Sequence, residues 1–258
     1  MMHIEERGNG RPMVLVHGWG LNGAVWEGWS ADLHHHARTL TVDLPGFGRS
    51  PLHDKAYSLN ALAREIVAEV PQEAVWLGWS LGGLVALEAA LRFPNAVSAL
   101  VLLAATPRFT TAPDWPCGIA PEFFQRFAAD VIANPRETLH RFALLAAHGG
   151  TQAKAVSRQL WERMARFGTP DSRVLQRGLQ LLADTDLRQD VTKMDCPALW
   201  IFGGRDTLAP ASAAGPIGAL FSLSRMEVIP NAAHVPFLSH PQECLHFITE
   251  FLGEHRFV

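Results

Sequence analysis

The stretch Ala74-Val75-Trp76-Leu77-Gly78-Trp79-Ser80-Leu81-Gly82-Gly83-Leu84-Val85-Ala86-Leu87 decides the fold of this chain. An apolar run of strand type, 74–79, gives way to a helical stretch from Leu81, and at the junction a serine stands between two glycines. That is the sequence form of a nucleophile elbow, a tight turn that lifts a hydroxyl above the edge of a sheet. Gly78 and Gly82 belong there because a side chain at either position collides with neighbouring backbone in so sharp a turn. A serine in this place predicts a nucleophile, and therefore an enzyme.

Outward from the elbow, short apolar runs alternate with amphipathic stretches, the pattern of a parallel sheet covered by helices on both faces. The spacing predicts strands over 13–17, 39–43, 74–79, 99–103, 198–202 and 225–229, and helices over 24–35, 59–70, 81–92, 211–219 and 241–252. Pro45-Gly46, Pro71, Pro94 and Pro197 fall between these elements, where proline breaks no ladder. Between 114 and 195 the pattern turns helical without a clear strand, from Phe123-Phe124 through Leu160-Trp161 to Leu181-Leu182. A helical insertion there lies over the carboxyl ends of the strands and forms a lid. One domain over 1–258, with 114–195 as its lid, is the expected organisation.

Composition narrows the function. The chain has 258 residues, 48% hydrophobic and 18% charged, enough for one large core. A net charge of −3 and the lack of a basic run with interleaved aromatics exclude a nucleic-acid binder. No apolar stretch reaches the roughly 18 residues that span a bilayer, so no membrane segment is expected. The start Met1-Met2-His3-Ile4-Glu5-Glu6 has neither the basic nor the apolar part of an export signal, which points to the cytoplasm. Cys117, Cys196 and Cys244 are widely spaced, and buried or idle thiols are the reading.

A serine hydroxyl needs a base to accept its proton, and the base needs a carboxylate to fix its tautomer. Asp206 follows a predicted strand in Phe202-Gly203-Gly204-Arg205-Asp206, and His234 follows the next in Pro230-Asn231-Ala232-Ala233-His234. Loops at those two places present side chains at the same sheet edge as the elbow. The chain order Ser80, Asp206, His234 is that of the α/β-hydrolases. Asp186, Asp190 and Asp195 follow no strand and read as solvated. Most of the twelve histidines read as surface residues. Among them, His34-His35-His36 reads as the exposed end of a helix, with adventitious metal binding as its alternative, and His240-Pro241 as a helix start.

The oxygen of a tetrahedral intermediate needs two preorganised donors, each worth about 3 kcal/mol in comparable acyl-transfer enzymes. The Leu81 N–H, at the start of the helix, supplies one, and the Trp19 N–H in His17-Gly18-Trp19-Gly20 supplies the second. His17 is expected to hold that loop by hydrogen bonds, and Trp19 and Trp79 to wall the acyl site or fill the core. Gly46-Phe47-Gly48 lacks the third glycine of a dinucleotide fingerprint and follows the second strand, so it reads as a turn beside the site. From 116 to 178 nine basic and five acidic residues give +4, against −7 for the rest. That asymmetry fits an acidic partner or an arginine-rich solvated surface, and charge alone favours the surface.

Three motifs, residues 14–22, 42–50 and 76–85, together with Asp186-Leu187-Arg188 and the run 232–241, resemble the pimeloyl-acyl-carrier-protein methyl ester esterases of biotin synthesis. Asp-Leu-Pro-Gly-Phe-Gly-Arg-Ser is shared across many α/β-hydrolases, and the Trp79 elbow joined to Trp19 narrows the choice. The resemblance implies hydrolysis of the methyl ester masking the distal carboxylate of pimeloyl-carrier protein, with release of methanol. It implies substrate contacts at Trp19, Ser80, Leu81 and His234 and at the lid residues Phe142, Ala143, Leu144, Leu145 and Ala146. The family has glutamine where Ala146 stands. Its lid arginines facing the acidic carrier protein match Arg141 and Arg158; Lys154 keeps the charge alone, and Arg136 is displaced by one position.

The expected molecule is therefore a serine carboxylesterase on an α/β-hydrolase fold, a monomer with no metal or organic cofactor. Its partners are the acyl-carrier protein bearing the substrate and small-molecule esters. Two rivals stay open. One is a broad short-chain esterase, thioesterase or carbon–carbon hydrolase on the same scaffold; the other is a hydrolase-like ligand-binding protein. Dehalogenases and epoxide hydrolases use an aspartate where Ser80 stands.

Overall fold

Strands buried on both faces of a parallel sheet are free to be apolar throughout. The computed structural model describes residues 1–34, 36–53 and 56–257. Its seven strands are β1 (His3–Arg7), β2 (Pro12–Val16), β3 (Arg38–Asp43), β4 (Ala74–Trp79), β5 (Val97–Leu103), β6 (Ala198–Gly203) and β7 (Ser224–Ile229). They form one sheet in the order β1-β3-β2-β4-β5-β6-β7. Every residue of β4 and β6 is buried, as their apolar sequences require. All pairings are parallel except β1 with β3, which is antiparallel at the edge. β1, His-Ile-Glu-Glu-Arg, was not foreseen: an edge strand with water beside it carries charges and loses the apolar signature.

The helices are α1 (Ser30–Leu33), α2 (Leu59–Val67), α3 (Leu81–Arg92), α4 (Pro121–Ala133), α5 (Pro135–Ala147), α6 (Ala153–Ala165), α7 (Ser172–Asp184), α8 (Ala214–Leu220), α9 (Pro236–Ser239) and α10 (Pro241–Glu254). The helix expected over 24–35 is a 3-10 turn at Gly23–Trp26 followed by α1. Gly28, at φ +81°, separates the two, and His35, the expected end, lies outside the described residues. The helix expected over 59–70 stops at Val67. Its start is capped by Ser58, whose hydroxyl accepts from the Ala61 N–H.

Between β5 and β6 the chain forms α4 to α7, each 13 residues long. Proline opens both α4 and α5, where its missing N–H is one the helix does not use. Each helix buries one apolar stripe, Leu139, Phe142, Ala143 and Ala146 on α5 and Val174, Leu175, Leu179 and Leu182 on α7. These stripes rest on the loops that follow β2 and β7, at the carboxyl ends of the strands: Trp19 Nε1 donates to the Leu175 carbonyl and the His234 N–H to the Ala146 carbonyl. Among the described residues no helix is long and apolar enough to cross a membrane.

Candidate active site

The elbow at the end of β4 puts Ser80 at φ 55°, ψ −118°, a conformation that L residues rarely adopt. Its N–H donates to the Leu103 carbonyl at 3.0 Å, and its own carbonyl accepts from Gly83 N–H at 2.9 Å. The flanking glycines let the backbones cross: a Cβ on Gly82 would stand 2.1 Å from the Val16 carbonyl oxygen, and one on Gly78 2.4 Å from that of Gly82.

Three side chains 154 residues apart at the extremes meet above this turn. His234 Nε2 lies 3.0 Å from Ser80 Oγ, and His234 Nδ1 lies 2.8 Å from Asp206 Oδ2. A carboxylate only accepts, so Nδ1 carries the proton and Nε2 is left to receive one from the serine. Asp206 is itself fixed, its Oδ1 accepting from Leu208 N–H at 2.7 Å and Ala209 N–H at 3.1 Å. Ser80, Asp206 and His234 are 3%, 6% and 2% exposed, so the constellation lies beneath the helices rather than in open water.

Leu81 heads α3, and the first N–H of a helix has no acceptor within it. Trp19 follows β2 and is fully buried, its indole N–H donating to Leu175 O at 2.7 Å and its ring meeting Phe142 edge-on at 5.0 Å. Helix α7 also packs closely here at Gly178, where a Cβ would sit 2.7 Å from Trp19 Cδ1 and 3.5 Å from Leu81 Cδ2. Of the five α5 residues expected at the substrate, Phe142, Ala143 and Ala146 are buried toward this side and Leu145 is half-buried. Leu144 is 50% exposed and faces an outer groove instead. On a helix, residues 142 and 144 cannot share a face.

His17 takes the supporting part expected of it. It is fully buried, Nδ1 donating to Gly18 O at 2.8 Å and Nε2 accepting from Leu44 N–H at 3.0 Å. Burial pushes its pKa below the ordinary value, with the Gly18 bond opposing, so the ring is a neutral brace between two loops. Asp43 anchors the turn at Gly46-Phe47-Gly48. It accepts from Gly23 N–H at 2.6 Å and from Arg49 N–H and Nε, both at 2.9 Å. Burial works against its charge, but the bonds from Arg49 and Gly23 outweigh it and hold the pKa below the ordinary value.

Asp186, expected to be solvated, sits in a surface ion-pair cluster with Arg188 at 2.8 Å and Arg108 at 2.6 Å. Hydrogen bonds from Arg188 chiefly hold its pKa at about 2. Asp190 binds Lys193 at 2.9 Å; Asp206 is the acid that meets His234. His240 stands at the position just before α10, the helix start expected of it, with no capping bond from its side chain. Among the described residues no group of His, Cys, Asp or Glu could hold a metal ion, and of the run 34–36 His35 lies outside them. All three cysteines are free and buried.

The expected carrier-facing residues lie on the outer side of α5 and α6. Lys154 and Arg158 line a groove of about 460 Å³ with His140, Leu144 and Trp161. Arg136 stands over the Trp161 ring at 5.7 Å, and Arg141 pairs with Asp130 at 2.8 Å while remaining half exposed. Arg158 is 74% exposed, with Glu162 at 4.0 Å.

Sequence reasoning missed the part of Trp79. Expected as a wall of the acyl site or as core, its indole reaches the backbone of His234. No spacing rule relates two residues 155 apart.

A family model described as the α/β-hydrolase fold matches residues 11–241. A pimeloyl-[acyl-carrier protein] methyl ester esterase of Aeromonas salmonicida (strain A449) is 40% identical over 251 residues, 97% of this chain and 98% of that one. One of the same name from Xanthomonas axonopodis pv. citri (strain 306) is 40% identical over 252 residues, covering 98% and 99%. Among solved structures an esterase from Exiguobacterium antarcticum superposes with a TM-score of 0.88 at 23% identity, covering 98% of this chain and 95% of its own. A bromoperoxidase from Bacillus anthracis gives 0.89 at 22% with the same coverage, which attests the fold alone. With its sheet order, elbow and loop-borne histidine, this chain belongs to the α/β-hydrolase fold family and, within it, to the pimeloyl-[acyl-carrier protein] methyl ester esterases.

Proposed function

We propose that this chain is a serine carboxylesterase that cleaves the methyl ester of pimeloyl-acyl-carrier protein to the free acid and methanol, with Ser80, His234 and Asp206 as its catalytic residues. The observation that carries the reading is the unbroken chain of hydrogen bonds from Ser80 Oγ through the imidazole to Asp206, in a chain 40% identical to esterases so named.

Ser80 Oγ attacks the ester carbonyl as His234 Nε2 takes its proton, and the carbonyl oxygen turns to the N–H groups of Leu81 and Trp19. Collapse of the tetrahedral adduct expels methoxide, which leaves as methanol with the proton from Nε2. Water then attacks the acyl-serine, giving its proton to the same nitrogen; that proton returns to Ser80 as the acid departs. Asp206 keeps the imidazole in the productive tautomer and stabilises its cation.

The segment 114–195 serves as a lid within a single domain, since the buried Ser80 receives an ester only when helices over it move. Phe142, Ala143, Leu145 and Ala146 of its inner side contact the acyl chain. Arg136, Arg141, Lys154 and Arg158 on its outer side meet the acidic carrier protein, in the cytoplasm, with the enzyme a monomer. The test is rescue of a biotin-requiring strain that lacks its own esterase. The gene restores growth without biotin and its Ser80→Ala variant, folded and expressed equally, does not. Equal growth with the variant removes Ser80 from the chemistry; an expressed wild-type protein that restores nothing removes the substrate.

A further inference from the structure

His234 sits in the irregular loop between β7 and α9, so neither ladder nor helix holds its backbone in place. Two outside groups do. Its N–H donates to the Ala146 carbonyl of α5 at 3.1 Å. Its carbonyl accepts from the indole Nε1–H of Trp79 at 2.7 Å. Trp79 is the residue before the nucleophile, so a single peptide unit separates the group that grips the base from the group the base must serve.

The indole is itself clamped. It is fully buried, with Phe237 edge-on at 5.5 Å between ring centroids. Gly18 lies flat against another edge, where a Cβ would stand 2.8 Å from ring carbon Cε3. The imidazole of His234 rests 5.7 Å away, tilted by 50°. A ring so enclosed has one orientation, and its N–H one direction.

We propose that Trp79 is a positioning residue for the reaction: its indole N–H sets the place of the His234 backbone and through it the 3.0 Å separation of Nε2 from Ser80 Oγ. The proposal rests on the reading of Ser80 and His234 as nucleophile and base. Proton transfer fails steeply with misplacement, whereas ester binding depends on surfaces that Trp79 does not touch through this bond.

The test separates geometry from folding. Trp79→Phe keeps an aromatic ring and removes the donor; benzothienylalanine placed at 79 keeps the whole bicyclic shape and puts sulfur where the N–H was. Stoichiometric labelling by a fluorophosphonate counts competent sites, and p-nitrophenol release in the first turnover gives the acylation rate per site. Both variants are expected to bind the ester with a dissociation constant within about twofold of the parent and to acylate each site about 10- to 100-fold more slowly, the range seen when an orienting partner of a reactive group is lost. Trp200→Phe serves as control, because Trp200 is equally buried, lies in β6 and has an indole nitrogen with no hydrogen-bond partner among the described residues. It is expected to lower the count of sites at most, leaving the rate per site unchanged. The benzothienyl variant answers if Trp79→Phe does not fold. Wild-type rates per site in that variant overturn the proposal while Ser80→Ala stays inert; a folded Ser80→Ala that still turns the ester over overturns the underlying reading instead.

Discussion

The indole nitrogen of Trp19 and the carbonyl oxygen of Leu175 lie 2.7 Å apart, which fastens helix α7 to the loop that carries a proposed oxyanion donor. Trp19→Phe removes that bond and leaves a small void beside Gly178, at a cost of about 1–3 kcal/mol. Trypsin cleavage after Arg173 or Arg177 is expected to quicken severalfold, since α7 then opens more often. An unchanged cleavage rate shows that α7 is held without the tryptophan.

Charge on the outer face of α5 and α6 bears on the protein-borne substrate alone. Arg141→Glu combined with Arg158→Glu is expected to slow turnover of pimeloyl-carrier-protein methyl ester by about tenfold or more at low salt, less so at high salt. Turnover of free dimethyl pimelate, which has no carrier to dock, stays within about twofold of the parent under the same screening conditions. Equal slowing on both esters assigns these arginines to the stability of the helices over the site, where Arg141 of α5 meets Asp130 of α4 and Arg158 lies near Glu162 on α6.

Acid acts on His17 before it acts on Asp43. The folded pKa of His17 is depressed by burial, so the unfolded chain binds the proton first, and its contribution is whole above about pH 6.5 and lost as pH falls toward the folded value. Asp43, also depressed, holds its contribution whole above its ordinary value near 3.8 and loses it as pH falls through the folded one. The melting temperature is expected to be level above about pH 6.5 and to decline below it; His17→Gln flattens that decline even if it lowers the plateau. An equal slope in both proteins places the acid-sensitive group elsewhere.

Gly82→Ala is expected to destabilise the fold by about 3 kcal/mol or prevent folding altogether, because the new methyl meets the Val16 carbonyl oxygen and backbone, unlike a side chain, cannot swing aside. Denaturant unfolding measures it. A loss below about 1 kcal/mol, the level of an ordinary surface change, means that β2 and α3 can part without penalty.

Much of this was legible because the sheet is parallel. Residues 74–79 and 198–203 face helices on both sides, so their apolar runs mark strands directly, and the candidate serine, aspartate and histidine follow strands, as expected of this fold. β1 escaped because its exposed side selects glutamate and arginine. The helix expected over 24–35 broke at Gly28, whose positive φ interrupts a stretch that composition alone reads as continuous. Four helices over 121–184 were visible as a helical region, but not the rotation of each about its axis, which is what sends Leu144 outward and Phe142 inward. Bonds from tryptophan nitrogens to distant carbonyls, as at Trp19 and Trp79, leave no periodic trace at all.

The strained turn at residue 80 is built without its hydroxyl: backbone bonds to Leu103 and Gly83 and two bare glycines maintain it. It is a socket, indifferent to which small head it displays. A thiol installed by Ser80→Cys is expected to take the same vantage beneath the imidazole, held by the same frame.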